Sequence, residues 1–331
     1  MMQKLILDFP AQLREALAIG KAASIHPAGG EVRQVVVAGM GGSGIGADFV
    51  AAFLREECPV PVLVAKDYRL PAYVDHRSIL IASSYSGNTE ETLEACRQAA
   101  EKGARVIAVT SGGTLAKMVA EKGWDAVFLP GEQPAPRACL GYSLVAQLSV
   151  LHKLGLSGPE LLDDISRIAG SLETQLEDIQ DKARQLAGFL EGKIAVLYTT
   201  SAMEPVALRF RQQLAENAKM LAWHHVIPEM NHNELVGWRR DQPGLAAVFL
   251  RHSGESAENR LRTEITREVV SEFAGARLEI FAKGNNLIEQ ALYLIHLADW
   301  TSCYLAELQG LDAMEIRIIG FLKEEMARAK R

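Results

Sequence analysis

A chain of 331 residues, 48% of them hydrophobic and 23% charged, has enough apolar side chain for one large core or two of ordinary size. Its formal charge of −6, from 35 basic and 41 acidic residues, argues against a general nucleic-acid role, because a phosphate backbone asks for a basic surface. No run of 18 uncharged apolar residues occurs and MMQKLILDFPAQLREAL has no long apolar stretch, so neither a membrane span nor a signal peptide is expected.

In chain order, the first half alternates β-rich and helical runs. VRQVVVAG (32–39) reads as a strand, GIGADFVAAFLREE (44–57) as a helix, and PVLVAK (61–66) and RSILIASS (77–84) as strands. NTEETLEACRQAAEKG (88–103) is a helix ending on glycine, ARVIAVT (104–110) a strand, TLAKMVAEKG (114–123) a helix and WDAVFLP (124–130) a strand. Strands that are apolar on both faces suit a parallel sheet covered by helices on both sides. Helical patterning then dominates from about 137 to 190, interrupted at Ser157-Gly158-Pro159, a credible boundary. Alternation resumes with strands at 192–200, 245–251 and 276–282, and helices at 203–220, 256–273, 285–308 and 315–329. The predicted fold class is α/β, with two α/β sandwich domains of one type, 1–157 and 158–331.

The first strand runs into AGMGGSGIGAD (38–48). Gly39, Gly41 and Gly44 have the GxGxxG spacing of a dinucleotide site, but strand two ends in Lys66-Asp67 rather than on a clean acid, and there is no GK[ST]. A plain strand-to-helix turn, an anion or sugar site and a dinucleotide site all remain open on this segment. SYSGNTEET (84–92) adds hydroxyls at Ser84, Ser86 and Thr89, a flexible Gly87, and the start of a helix. Unpaired amides and the helix field favour a phosphate there. An ordinary N-cap would need one such residue; this turn supplies several. TSGGT (110–114) either lines the same crevice or is another loop.

Together, AGMGGSGIGAD, SSYSGNTEET and TSGG resemble the sugar isomerase (SIS) domain. PRACLGY (136–142), ENAKM (216–220) and PEMNHNELVGW (228–238) resemble one branch of it, the bifunctional phosphoglucose/phosphomannose isomerase family, over nearly the whole chain. The resemblance implies aldose–ketose isomerisation of glucose 6-phosphate, and of mannose 6-phosphate, to fructose 6-phosphate through an enediol, with no cofactor and no metal. It implies Glu216 as catalytic base and His232 as the ring-opening histidine, supplied across a homodimer interface. Arg137 would stabilise the enediolate and Lys323 would lie near the ring oxygen. Ser43, Ser84, Ser86 and Thr89 would bind the phosphate.

Taken alone, Glu216 and Lys323 read as surface helix residues, Arg137 as a solvent-facing helix start, and His232 as a loop histidine. His224 and His225 are adjacent on a presumed strand and point to opposite faces, a poor metal pair. Cys58, Cys96, Cys139 and Cys303 form no CxxC, which fits a reducing compartment, with the cytoplasm expected. One departure stands out: where the family commonly has an Asp-Pro-Thr-Pro-Val type segment before the lysine, this chain has Leu311-Asp312-Ala313-Met314-Glu315-Ile316. Met314 is therefore expected to affect discrimination between the two sugars. The competing readings are a non-catalytic sugar-phosphate sensor, an isomerase of another sugar phosphate, and a nicotinamide-dependent oxidoreductase.

Overall fold

The structure is a computed structural model that describes residues 1–131 and 133–329. The chain divides into two compact units, one built from Leu5–Leu176 with Lys283–Tyr293, the other from Met1–Lys4, Glu177–Ala282 and the described residues from Leu294 onward. They are called the N-terminal and C-terminal units below.

The N-terminal unit holds a five-stranded, all-parallel sheet of order β2-β1-β3-β4-β5. Its strands are β1 (Gln34–Ala38), β2 (Val62–Ala65), β3 (Ser78–Ser83), β4 (Arg105–Thr110) and β5 (Asp125–Phe128). Val35, Val36 and Val37 in β1, and Leu80 and Ile81 in β3, are all buried. Consecutive residues point to opposite faces, so burial of both kinds requires cover on both sides. Helices α1 (Met2–Leu7), which the unit boundary divides, and α2 (Phe9–Ala22) precede β1, and α3 (Gly41–Phe53), α4 (Glu90–Glu101), α5 (Gly113–Lys122), α6 (Leu140–Lys153) and α7 (Glu160–Thr174) come after it. Helix α6 is apolar and buried for most of its length, while α7, beyond the Ser157-Gly158-Pro159 break, buries Leu161, Ile165, Ile168 and Leu172 and packs on α2.

One boundary departs from the sequence pattern. Helix α3 starts at Gly41, inside the glycine run, because the Met40 carbonyl already accepts the amides of Ser43 and Gly44 at 3.1 Å. Strand β1 has β2 on one side and β3 on the other, so the connections leaving β1 and β3 diverge. That divergence leaves a crevice at the carboxyl ends of these strands, where ligands of open α/β sheets bind.

The C-terminal unit repeats this plan. Strands β6 (Ile194–Thr200), β7 (Ala222–Ile227), β8 (Gln242–Arg251) and β9 (Ala274–Phe281) form a parallel sheet of order β7-β6-β8-β9. Strand β7 is the strand presumed for His224 and His225, and carries both. The helices are α8 (Leu176–Leu190), α9 (Glu204–Ala218), α10 (Ala257–Phe273), α11 (Leu287–Leu308), whose first turns belong to the N-terminal unit, and α12 (Arg317–Ala329). No helix among the described residues is long and apolar enough to cross a membrane. All four cysteines are unpaired thiols, and burial pushes Cys96 and Cys303 up to about 12.

Candidate active site

The carboxyl ends of β1 and β3 gather five of the expected residues, Ser43, Ser84, Ser86, Thr89 and Arg137. Close packing explains the glycines. A side chain at Gly44 would sit 2.5 Å from the Gly39 carbonyl oxygen, and one at Gly42 would sit 3.0 Å from the Pro136 oxygen and 3.7 Å from Arg137 Cα. The Pro136–Ala138 turn therefore lies directly on the glycine turn, and brings Arg137 beside Ser43 with both residues buried. Gln147, fully buried on α6, donates through Nε2 to the Ser43 carbonyl at 3.2 Å and to Ser83 Oγ at 2.9 Å, holding the two loops together.

The β3–α4 turn completes a cup. Ser84 Oγ and Thr89 Oγ1 are 2.8 Å apart, and Ser86 Oγ accepts the Asn88 amide at 3.2 Å, leaving its own proton for another acceptor. Thr89 is extended at the N-cap position of α4 without a side-chain capping bond, and the first-turn amides lack helical acceptors. Gly87, at φ 67°, abuts the next loop so closely that a Cβ would stand 1.8 Å from the Gly112 oxygen. That loop, TSGGT, braces the cup: Ser111 donates from backbone and side chain to the Tyr85 carbonyl, and Thr114 donates twice to Asn88 Oδ1. Hydroxyls and open amides suit a compact anion.

At the end of β2, Lys66 pairs with Asp48 on α3, and the Asp67 carboxylate accepts the Tyr68 amide at 2.6 Å.

The topological counterpart in the C-terminal unit follows β8. Ser253-Gly254-Glu255-Ser256 stands where Ser86-Gly87-Asn88-Thr89 stands after β3. Here the turn carries its own anion. The buried Glu255 carboxylate accepts the His252 amide at 3.2 Å and Arg251 Nε at 2.8 Å. His252 contacts Thr200 Oγ1 at 2.7 Å, and burial holds its pKa below the usual histidine value.

Glu216, His232, Met314 and Lys323 belong to the C-terminal unit. Glu216 is half-buried in the last turn of α9. The helix is held against α11 by a row of polar residues at four-residue spacing. Arg209 Nη2 meets Asp299 Oδ2 at 2.6 Å, Gln213 donates to Asp299 Oδ1 at 3.0 Å, and Asn217 donates to Ser302 Oγ at 2.9 Å. Burial pushes the Asp299 carboxyl up, against the opposing pull of Arg209.

His232 is exposed on a 3-10 turn, Glu229–His232, whose flanks are firmly anchored. Met230 and Trp238 are buried, Asn231 donates to Thr266 Oγ1 at 2.6 Å, and Glu234 accepts from Tyr198 at 2.6 Å. Trp238 donates to the Tyr198 hydroxyl at 2.8 Å, and burial drives the Tyr198 pKa up. Met314 is half-buried and its amide bonds the Asp312 carboxylate at 2.8 Å. Lys323 is exposed on α12, a helix with no buried residue. Among the described residues no three of His, Cys, Asp and Glu group as a metal site.

Fold and cup together define a two-unit SIS protein. Residues 31–155 match the SIS domain family, and residues 179–326 match the bacterial phospho-glucose isomerase C-terminal SIS domain. The bifunctional phosphoglucose/phosphomannose isomerase of Caldicellulosiruptor bescii is 36% identical over 98% of this chain and 98% of its own. The enzyme of that name from Aquifex aeolicus is 36% identical over 89% of this chain and 90% of its own. Among solved structures, the C-terminal domain of glucosamine-fructose-6-phosphate aminotransferase from Francisella tularensis superposes with a TM-score of 0.73 at 16% identity, over 94% of this chain and 97% of that one, a likeness of fold. The chain belongs to the bifunctional phosphoglucose/phosphomannose isomerase family.

Proposed function

We propose that this protein interconverts glucose 6-phosphate and mannose 6-phosphate with fructose 6-phosphate through an enediol. The observation that carries the reading is the hydroxyl-lined cup at the start of α4, in a chain whose full-length relatives bear this name. Ser43, Ser84, Ser86 and Thr89 take the phosphate and so fix the distance from it to C1 and C2. Glu216 removes the C2 proton of the aldose and returns it to C1, giving the ketose. Arg137 faces the oxyanion that develops in between. His232 of the partner subunit assists ring opening in a homodimer, and Lys323 serves the ring oxygen. The proton transfer asks for no redox cofactor or metal ion. The cytoplasm is the compartment that fits four free thiols.

The primary test is E216Q. Turnover is expected to vanish while phosphate affinity stays near that of the wild type; normal turnover removes Glu216 as the base. The crossed contribution of His232 has its own test. Mixing inactive E216Q and H232A chains restores activity if the histidine acts across the interface, because one site in the mixed dimer is then intact. No recovery, with mixed dimers demonstrated, places base and histidine in the same subunit.

A further inference from the structure

Lys219 is the one non-glycine residue among those described with a positive φ, at 54° with ψ 32°. It occupies the left-handed position that closes α9, which glycine takes without steric cost and side chains do not. Closure itself makes no use of a lysine side chain, since the amides of Lys219 and Met220 both reach the Leu214 carbonyl. Keeping a side chain in a strained position points to work done by that side chain.

The Nζ donates to three carbonyls: Glu216 at 2.9 Å, Asn217 at 3.2 Å and Asp312 at 2.7 Å. The first two are acceptors that the last helical turn leaves open, where a cation is also favoured by the helix field. The third lies in the turn at 311–316. There the Asp312 carbonyl also accepts the Glu315 amide at 3.2 Å, and the Asp312 carboxylate holds the Met314 amide. The end of α9 is thus tied on one side to Ser302, through Asn217, and on the other to the turn that carries Met314.

We propose that Lys219 is a positioning residue. It ties the helix end that presents Glu216 to the 311–316 turn, and so sets both the placement of the base and the discrimination between glucose and mannose phosphates. This rests on Glu216 being the base. Displacing a catalytic group by a fraction of an ångström lowers kcat much more than KM.

The test uses the full-length enzyme with K219G, K219M and E216Q, scored for urea midpoint, kcat, KM and the ratio of glucose to mannose 6-phosphate turnover. K219G removes strain and donors together; K219M keeps the strain and removes only the donors. The expected result for K219G is a urea midpoint at or above wild type, a kcat lower by ~10- to 100-fold, KM within about twofold, and a shifted substrate ratio. K219M shows the same kinetic defect, and decides the matter if K219G does not fold. A merely structural cap predicts that K219G keeps kcat and ratio, and that result overturns the proposal. A lower kcat with an unchanged ratio also overturns it, because the tie to the turn would then be idle. Loss of turnover in E216Q beside a wild-type-like K219G rejects the role of Lys219 alone. An active E216Q rejects the base and this proposal with it.

Discussion

Gly87→Ala tests the cup through its backbone. Gly87 has φ 67°, and the added Cβ would stand 1.8 Å from the Gly112 oxygen, 2.7 Å from its carbon and 2.9 Å from Thr110 Oγ1. The left-handed conformation alone costs about 1–2 kcal/mol for a side-chain-bearing residue. The contact adds displacement: backbone cannot approach to 1.8 Å, so the cup and the TSGGT loop must separate by roughly an ångström. Ser86 and the first amides of α4 are the groups that move. A hydrogen bond to a charged group is worth about 1.5–3 kcal/mol, so losing one raises KM by about 10- to 100-fold. Gly123→Ala is the control. Gly123 has φ 64° at the end of α5, and a Cβ there meets nothing within 4 Å, so it carries the conformational cost without disturbing the cup. Urea unfolding and steady-state kinetics on both variants separate the two effects. A G87A enzyme with KM within twofold of wild type would refute the assignment of this turn to phosphate.

Two further predictions concern buried polar groups of the C-terminal unit. Arg209→Met strands the buried Asp299 carboxyl, and is expected to cost about 3–5 kcal/mol in urea unfolding; adding Asp299→Leu should recover part of that, whereas a cost under about 1 kcal/mol would show the pair to be solvated. For His252 the folded pKa is lowered, mainly by burial, so between that value and about 6.5 the unfolded chain binds the extra proton. Its contribution to stability is complete above about pH 6.5 and declines as pH falls through that window. H252Q, which can still reach Thr200, should flatten this part of the stability–pH curve. An identical slope in both proteins would mean that His252 is neutral in neither state alone.

The α/β alternation was legible because strands of a parallel sheet, buried on both faces, leave unbroken apolar runs such as QVVVA and SILIAS. Strand β7, AWHHVI, lies at the sheet edge and is mostly half-buried; its two histidines break such a run. Most of the cup could be read from SYSGNT because one loop carries Ser84, Ser86 and Thr89. Its support could not. Gln147 showed only as a polar residue in an apolar helix, and its partners Ser43 and Ser83 are 104 and 64 positions away. The anchoring of the His232 turn through Tyr198, 36 and 40 positions from its partners Glu234 and Trp238, is likewise non-local. Lys219 lies in ENAKM, but nothing there marked a left-handed position, which normally announces itself by a glycine.

The most direct test of the central claim is the conversion of fructose 6-phosphate to glucose 6-phosphate and to mannose 6-phosphate, assayed separately with EDTA present. Product in both assays is the expected result. Glucose 6-phosphate alone would assign the loss of the second activity to the Met314 turn. No product in either assay, from a folded protein, would contradict the account.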